Sequence, residues 1–565
     1  MADVKNQSYG RTVDTLNVPF TTFPKLLEKW ATLKPESEAF VFYTFGKPKT
    51  SISFGKLYQD ALKLAKGLRR LGINKGDIVA IAGFNTPEWL VSTYASQLVG
   101  ARPLFFTLHD KKGENMTGII KKVGGCKMII FDPGNDDLHW KISQKFLTVD
   151  PSNGAVKKSD IPSVEWVLLM TPLESTEKCF TINDVAFEED TSLPELDPAD
   201  IAAILQTSGS TGFPKAVECS HYRLLQTAFH FTYLSEWNDP KKDGEFVFFN
   251  DRPFYWLGGF PCLSLATGGK HVTQTNTLVF TSIAETVKFS SQIVQNEKIP
   301  YGLFVTPFLL ELLMLEDFPW KFRSVITGGQ PVPASCLSAI GKMYDTLGVL
   351  YGSSEAALNC GKTYHTSSER YVGMAALPGV EMKIVGNNGM IVPVGTKGEL
   401  YIRNVTAAFR GYINEPEKTA AVISSSGWYK TDDFAHINSE GCVEIHGRVS
   451  DVLEIGGAKV LPSFIEEIIK KNPAVKEVVV FAVKDIKHAD DIACAAVVLK
   501  NEATLTAESL TEFIKEELKF SEDAKFLQYI YVPKHILFLD NLPKTATGKN
   551  DRMKTREISL PHLKD

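Results

Sequence analysis

The sequence predicts an α/β protein: a large N-terminal part of parallel-rich sheets covered by helices, followed by a smaller, mobile α+β part. Three observations predict it. Helical and strand periodicities alternate along most of the chain. The strand candidates are short continuous apolar runs, as expected of strands buried on both faces. The last stretch, about 115 residues, carries its own helices and strands and is long enough to fold alone.

The elements follow in order. Phe23, Leu26, Leu27, Trp30 and Leu33 recur at helical spacing. So do Phe54, Leu57, Ala61, Leu64, Leu68 and Leu71, with Ser53 placed to cap that helix and Gly72 to stop it. The run 78–82 reads as a buried strand, and Pro87 opens another helix. Residues 132–150 read as a polar surface excursion, and 201–205 as a strand. Near the C-terminal end, 463–469 and 509–518 read as helices, and 475–483, 492–499 and 529–532 as strands. The boundary falls between 449 and 450, giving units 1–449 and 450–565.

Composition narrows the class. The chain has 565 residues, 44% hydrophobic and 22% charged, which is ordinary for a globular protein. Lys+Arg 61 against Asp+Glu 66 leaves −5, which argues against a dedicated nucleic-acid binder. The eight cysteines show no C-x-x-C spacing and read as reduced, buried thiols. No apolar signal region opens the chain. The longest uncharged stretch, 254–269, is about 16 residues and holds Pro261, whereas a membrane span needs about 20. The end is not a peroxisomal S-K-L and no clear mitochondrial presequence is visible, so the expected compartment is the cytoplasm, with the mitochondrion as the alternative.

The chemistry concentrates in a few segments. After the strand at 201–205 comes Thr207-Ser208-Gly209-Ser210-Thr211-Gly212-Phe213-Pro214-Lys215. Glycines let a backbone approach a phosphate, free N–H groups and hydroxyls donate to its oxygens, and Lys215 adds positive charge. No Gly-Lys-Ser/Thr closes it, so it is not a Walker A loop. On composition alone, a Ser/Gly turn without a ligand is the simpler reading. Four further segments stand out. They are Tyr351-Gly352-Ser353-Ser354-Glu355, Gly427-Trp428-Tyr429-Lys430-Thr431-Asp432-Asp433, Gly447-Arg448-Val449-Ser450-Asp451 leading into Gly456-Gly457-Ala458-Lys459, and Leu542-Pro543-Lys544-Thr545-Ala546-Thr547-Gly548-Lys549.

Together these segments resemble, in order and spacing, the motifs of the adenylate-forming superfamily. That superfamily contains acyl-CoA synthetases, 4-coumarate–CoA ligases, luciferases and adenylation domains. The resemblance covers about residues 205–552, and medium-chain acyl-CoA synthetases are the members most like this chain. It implies ATP and Mg²⁺ as cofactors and coenzyme A as co-substrate. It assigns Thr207, Ser208, Gly209, Ser210, Thr211, Gly212 and Lys215 to the phosphates, with Tyr351, Gly352, Ser353 and Ser354 lining the nucleotide. Gly329 and Gln330 resemble the adenine-side loop. Glu355 is implied as the metal ligand, Asp433 as the ribose ligand, and Arg448 as a residue near ribose and phosphate. Lys549, with Thr211 and Glu355, is implied as catalytic: an ammonium there relieves the repulsion between a carboxylate and the α-phosphate. Asp451 is the implied hinge, and Gly456, Gly457 and Lys459 the implied CoA contacts.

The chain departs from the family at two places. Asp432 stands where Gly is usual. Trp256 stands where relatives carry a His, beside Leu257 and Gly258 in the implied acyl pocket. The aromatic stretch Phe254–Phe260 favours an apolar monocarboxylic acid over a dicarboxylate or an amino acid. Other fates of an adenylate share all these motifs: transfer to a carrier protein, an aryl-acid CoA ligase, or luciferase-like oxidation. A non-catalytic nucleotide binder is a fourth reading. Oligomeric state has no signal in the sequence.

Overall fold

In a computed structural model, described here for residues 7–12, 16–106, 114–175, 177–189, 191–207, 214–237, 244–275, 282–315, 318–455, 458–485, 490–500, 503–519, 531–544 and 550–563, the expected alternation builds three large sheets. The first has six strands, in the order Lys215–Ser220, Ile201–Thr207, Arg102–Phe105, Ile78–Ala82, Met128–Phe131, Trp166–Leu169. All its pairings are parallel except the edge hairpin formed by Ile201–Thr207 and Lys215–Ser220. The second has nine strands and is parallel through its centre, from Glu38–Tyr43 to Tyr344–Ser353. The third is an antiparallel sheet of five strands that ends in Tyr429–Ile437 and Val443–Arg448.

Local chemistry explains the helices between them. Phe23–Leu33 starts at Thr22, whose hydroxyl accepts from the Lys25 amide (3.4 Å). Phe54–Arg70 is capped by Ser53, as expected, through the Lys56 amide (3.2 Å). Its buried stripe includes Leu57, Ala61, Leu64 and Leu68. Pro87–Leu98 opens on a proline at its first turn, where the missing N–H costs nothing. Each helix lays its apolar face on the main core, which runs from Phe23 to Val443.

The C-terminal part has separate cores. Leu453, Val460, Ile465, Val480, Val497 and Ile514 belong to one, and Val479, Phe481, Cys494 and Leu542 to another. They join a sheet of Val475–Asp485, Asp490–Leu499 and His535–Phe538 to the helices Pro462–Lys470 and Ala507–Lys519. A large N-terminal and a smaller C-terminal domain result.

Two expectations are corrected. The third C-terminal strand is His535–Phe538, parallel to Asp490–Leu499, not 529–532. Pro533 has no N–H to give the ladder, so pairing begins only after it; of 529–532, the described residues Tyr531 and Val532 are in a helical turn and a bend that pack on the core. The stretch 132–150 is also no mere excursion. It contains the helix Leu138–Ser143, with Trp140 buried and stacked on Phe131 (centroids 6.4 Å apart). All eight cysteines are free thiols, and all but Cys179 are buried, as expected. Among the described residues no helix is long and apolar enough to cross a membrane.

Candidate active site

The segment 207–215 begins and ends on the two strands of the edge hairpin. Thr207 pairs directly with Lys215, so the two ends of the loop are held side by side. Thr207 is buried. Ser208, Gly209, Ser210, Thr211 and Gly212 lie outside the described residues. Tyr412 forms a bridge with Val217 on the same hairpin, and the Lys215 Nζ lies 4.6 Å from the centre of its ring. That is a cation–π seat for the lysine.

The Tyr412 hydroxyl donates to Glu355 Oε1 at 3.0 Å. Glu355 occupies the turn between Tyr344–Ser353 and Ala357–Tyr364, where a carboxylate is usually solvated, yet it is only 9% exposed. Three devices hold the turn. The Ser353 hydroxyl accepts from the Ala356 amide (3.2 Å). Gly352 lies so close to the returning strand that a Cβ there would fall 2.4 Å from the Ala357 carbonyl. Arg223, buried on the helix His221–Leu234, donates to the carbonyls of Ser354 (2.9 Å) and Glu355.

Asp433 is the second centre, on the strand Tyr429–Ile437 and buried. The Tyr351 hydroxyl donates to its Oδ2, and Arg448 Nε lies 3.2 Å from its Oδ1. The cross-strand register puts Asp433 opposite Arg448. Thr431 steadies both: its hydroxyl accepts from the Asp433 amide (3.0 Å), and its carbonyl accepts from Arg448 (3.0 Å). Burial, with the charge and hydrogen bond of Asp433, holds the Tyr351 phenol well above its ordinary pKa. It therefore remains a donor across the physiological range.

The structure brings Lys215 and Glu355 together through Tyr412, and Tyr351, Asp433 and Arg448 directly. Gly329 and Gln330 follow the strand Phe322–Gly328, whose Gly328 pairs with Leu350 beside Tyr351. Lys549, Gly456, Gly457 and the Lys459 side chain lie outside the described residues. The Lys459 backbone pairs with Glu454 in a two-stranded ribbon. Asp451 ends a short turn after Arg448 and pairs with Arg552 (3.2 Å).

The aromatic stretch divides into two roles. Phe254 and Phe260 are core residues; Phe254 packs on Trp89 (centroids 5.3 Å apart), and its amide donates to Asn85 (2.9 Å). Trp256 and Leu257 are half-buried and Gly258 is exposed at the tip of a turn closed by the Phe260 amide on the Trp256 carbonyl (2.7 Å). Among the described residues no hydrogen bond or ring contact joins Trp256 to Asp433 or Glu355.

Sequence reading missed Arg223 and Tyr412. Neither has a local motif: Arg223 is a lone basic residue in a helix, and Tyr412 acquires its place only through the bridge to Val217.

The residues fit the groups the motifs imply. Glu355 is a buried carboxylate whose hydrogen bond to Tyr412 leaves other oxygen lone pairs, as a hard cation would need. Among the described residues no cluster of three or more His, Cys, Asp or Glu could cage a metal. One carboxylate plus substrate phosphates is the usual Mg²⁺ arrangement. Asp433, an acceptor-only carboxylate, suits a pair of ribose hydroxyls.

Comparison with known proteins agrees. The AMP-binding enzyme family matches residues 27–413, and the AMP-binding enzyme C-terminal domain matches 465–549. The mitochondrial medium-chain acyl-CoA ligase ACSF2 of Mus musculus is 28% identical, over 96% of this chain and 88% of its own. The putative acyl-CoA synthetase YngI of Bacillus subtilis is 27% identical, over 96% of this chain and 97% of its own. The fold is shared with ATP-bound MatB from Rhodopseudomonas palustris (TM-score 0.74, 22% identity, 96% of this chain and 100% of that one). It is shared also with the anthranilate CoA ligase AuaEII (TM-score 0.75, 20% identity, 97% and 99%). The buried Glu355 and Asp433 centres, the two-domain α/β fold and these matches lead to one assignment: the chain belongs to the AMP-binding enzyme family, the adenylate-forming acyl-CoA ligases.

Proposed function

We propose that this protein joins an apolar, medium-chain monocarboxylic acid to coenzyme A at the expense of ATP. The observation that supports it best is the single ring of Tyr412, which seats Lys215 at the phosphate loop and hydrogen-bonds the Glu355 carboxylate. One residue thus ties a phosphate-side cation to a metal-side anion.

In this reading the acid carboxylate attacks the α-phosphorus of ATP and pyrophosphate leaves. Thr207, Lys215 and the loop residues Ser208 to Gly212, Thr211 among them, hold the phosphates. Asp433, oriented by Tyr351 and Arg448, takes the ribose. Glu355 holds Mg²⁺, which neutralises phosphate charge. Lys549 bridges the two anions. The thiolate of coenzyme A then displaces AMP from the mixed anhydride. The small unit, 450–565, turns about Asp451 between the steps and brings Gly456, Gly457 and Lys459 to the thiol substrate.

The preference for an apolar acid is supported by Arg252. It is the cation nearest in sequence to Trp256, and both its Nε (2.8 Å) and a terminal nitrogen (2.6 Å) are committed to the buried Asp251 carboxylate. The relatives named above as medium-chain ligases support the chain length.

The test is pyrophosphate release and acyl-CoA formation across aliphatic acids of rising length, aryl acids and dicarboxylates. Acyl-CoA should form best with medium-chain acids. Pyrophosphate release without acyl-CoA would move the acceptor elsewhere. Lys549→Ala should nearly abolish pyrophosphate exchange while sparing CoA attack on preformed adenylate. Wild-type exchange in that variant would sink the role of Lys549.

A further inference from the structure

Two consecutive residues of the linker are held by opposite domains. Ser450 is held by the large domain: its hydroxyl donates to Asp432 Oδ2 (2.6 Å) and its amide to Asp432 Oδ1 (3.2 Å). Asp451 is held by the small one: Arg552, at the start of the helix Arg552–Ser559, donates to Asp451 Oδ2 (3.2 Å). Arg552 also donates to Glu466 (2.6 Å) and to the Val480 carbonyl, so its guanidinium is fixed to the small domain's own helix and strand.

Asp432 is suited to this by its backbone. Its φ is +63°, a left-handed conformation that favours glycine and that Asp tolerates better than most residues. The alternation of the strand Tyr429–Ile437 points the adjacent carboxylates to opposite faces. Asp433 faces Tyr351 and Arg448, while Asp432 faces Ser450. A glycine at 432 would meet the backbone requirement and lose the clamp.

We infer that Asp432 is a positioning residue that anchors Ser450 to the large domain, so that rotation between the domains is confined to the bonds joining Ser450 to Asp451. The inference rests on the two-step reading above for its catalytic consequence, but not for the clamp itself. With a two-point anchor on one side and the Arg552 anchor on the other, rotation falls on ψ of Ser450 and φ of Asp451, and it must break the Val452 amide–Val449 carbonyl bond (3.2 Å) that spans them. The Ser463 hydroxyl also bonds the His446 carbonyl (2.6 Å) across the domains, and rotation there breaks that bond while sparing both anchors.

The test uses the full-length protein with Asp432→Gly, Asp432→Asn, Ser450→Ala and the Asp432→Gly/Ser450→Ala double variant. Glycine accepts the left-handed backbone, so folding is preserved, and thermal unfolding checks it. Two quantities are read: deuterium uptake in peptides covering residues 446–453, and the ratio of pyrophosphate exchange to thioester formation from preformed adenylate. Asp432→Gly should speed uptake there by about ten-fold and change the ratio by about three-fold or more. Asp432→Asn, which keeps one acceptor, should fall between it and the wild type. The double variant should resemble Asp432→Gly alone. Unchanged uptake in Asp432→Gly, or additive effects in the double variant, would overturn the clamp. If the wild type makes neither adenylate nor thioester, the proposed function fails, and the uptake data still judge the clamp.

Discussion

The Tyr351 hydroxyl donates to the Asp433 carboxylate from 82 residues away in the chain, joining the strand Tyr344–Ser353 of one sheet to the strand Tyr429–Ile437 of another. The bond aims a buried carboxylate that a turn motif alone would leave unaimed. Hydrogen bonds to charged groups contribute about 1.5–3 kcal/mol. Tyr351→Phe should therefore raise the KM for ATP by about ten-fold or more, with little change in the KM for the acid. Steady-state kinetics with each substrate varied check this; an unchanged KM for ATP would remove Tyr351 from the nucleotide site.

Tyr412 has two separable roles, one in its hydroxyl and one in its ring. Tyr412→Phe keeps the seat of Lys215 and loses the bond to Glu355, and should slow pyrophosphate exchange by about ten-fold. Tyr412→Leu loses both and should be slower by a further factor of about three, the worth of an exposed cation–π contact. Equal rates in the two variants would show that the ring does nothing for Lys215.

Trp256 is half-buried at the start of its turn and belongs to none of the core clusters. Trp256→Ala should shift preference toward longer or bulkier acids. One methylene in an apolar pocket is worth about 1–3 kcal/mol, so the ratio of kcat/KM for a longer over a shorter acid should rise about ten-fold. An unchanged chain-length profile would place Trp256 outside the acyl site.

Three buried histidines set a pH limit on stability. Burial holds His221 down to about 3, and His230 and His271 to about 4, below their ordinary value. The folded protein keeps them neutral, whereas the unfolded chain protonates them near pH 6.5. Below that pH the unfolded state binds more protons. Stability is thus fully present above about 6.5 and falls steadily as pH drops toward the folded values. The urea midpoint should decline between pH 6.5 and 4.5, with net proton uptake on unfolding. A flat midpoint over that range would contradict the assignment.

Much of this was legible in the chain itself. The apolar runs at 78–82 and 201–205, the cap at Ser53 and the helix-opening Pro87 are local signals, and the strands and helices formed where those signals stood. The motif order led to the family, because glycines, carboxylates and lysines at those spacings are specific as a set. The polar stretch 132–150 was misread because Trp140 is a single aromatic whose partner, Phe131, lies on a strand. Phe254 and Trp256 look alike in sequence, and only the fold brings Trp89 and Asn85 to the first and so puts it in the core.

The sequence by itself therefore determined which groups are present: the Ser/Thr/Gly string at 207–215, the carboxylates Glu355 and Asp433, and Lys549 near the end. Only the tertiary structure decided how the two carboxylates are aimed. Asp432 and Asp433 are identical neighbours in composition and charge. Strand alternation puts them on opposite faces, and folding brings Ser450 to the first and Tyr351 and Arg448 to the second. A chain can encode such a division only through partners that folding brings from far away, because a hydrogen bond is specified by distance and angle, not by residue type.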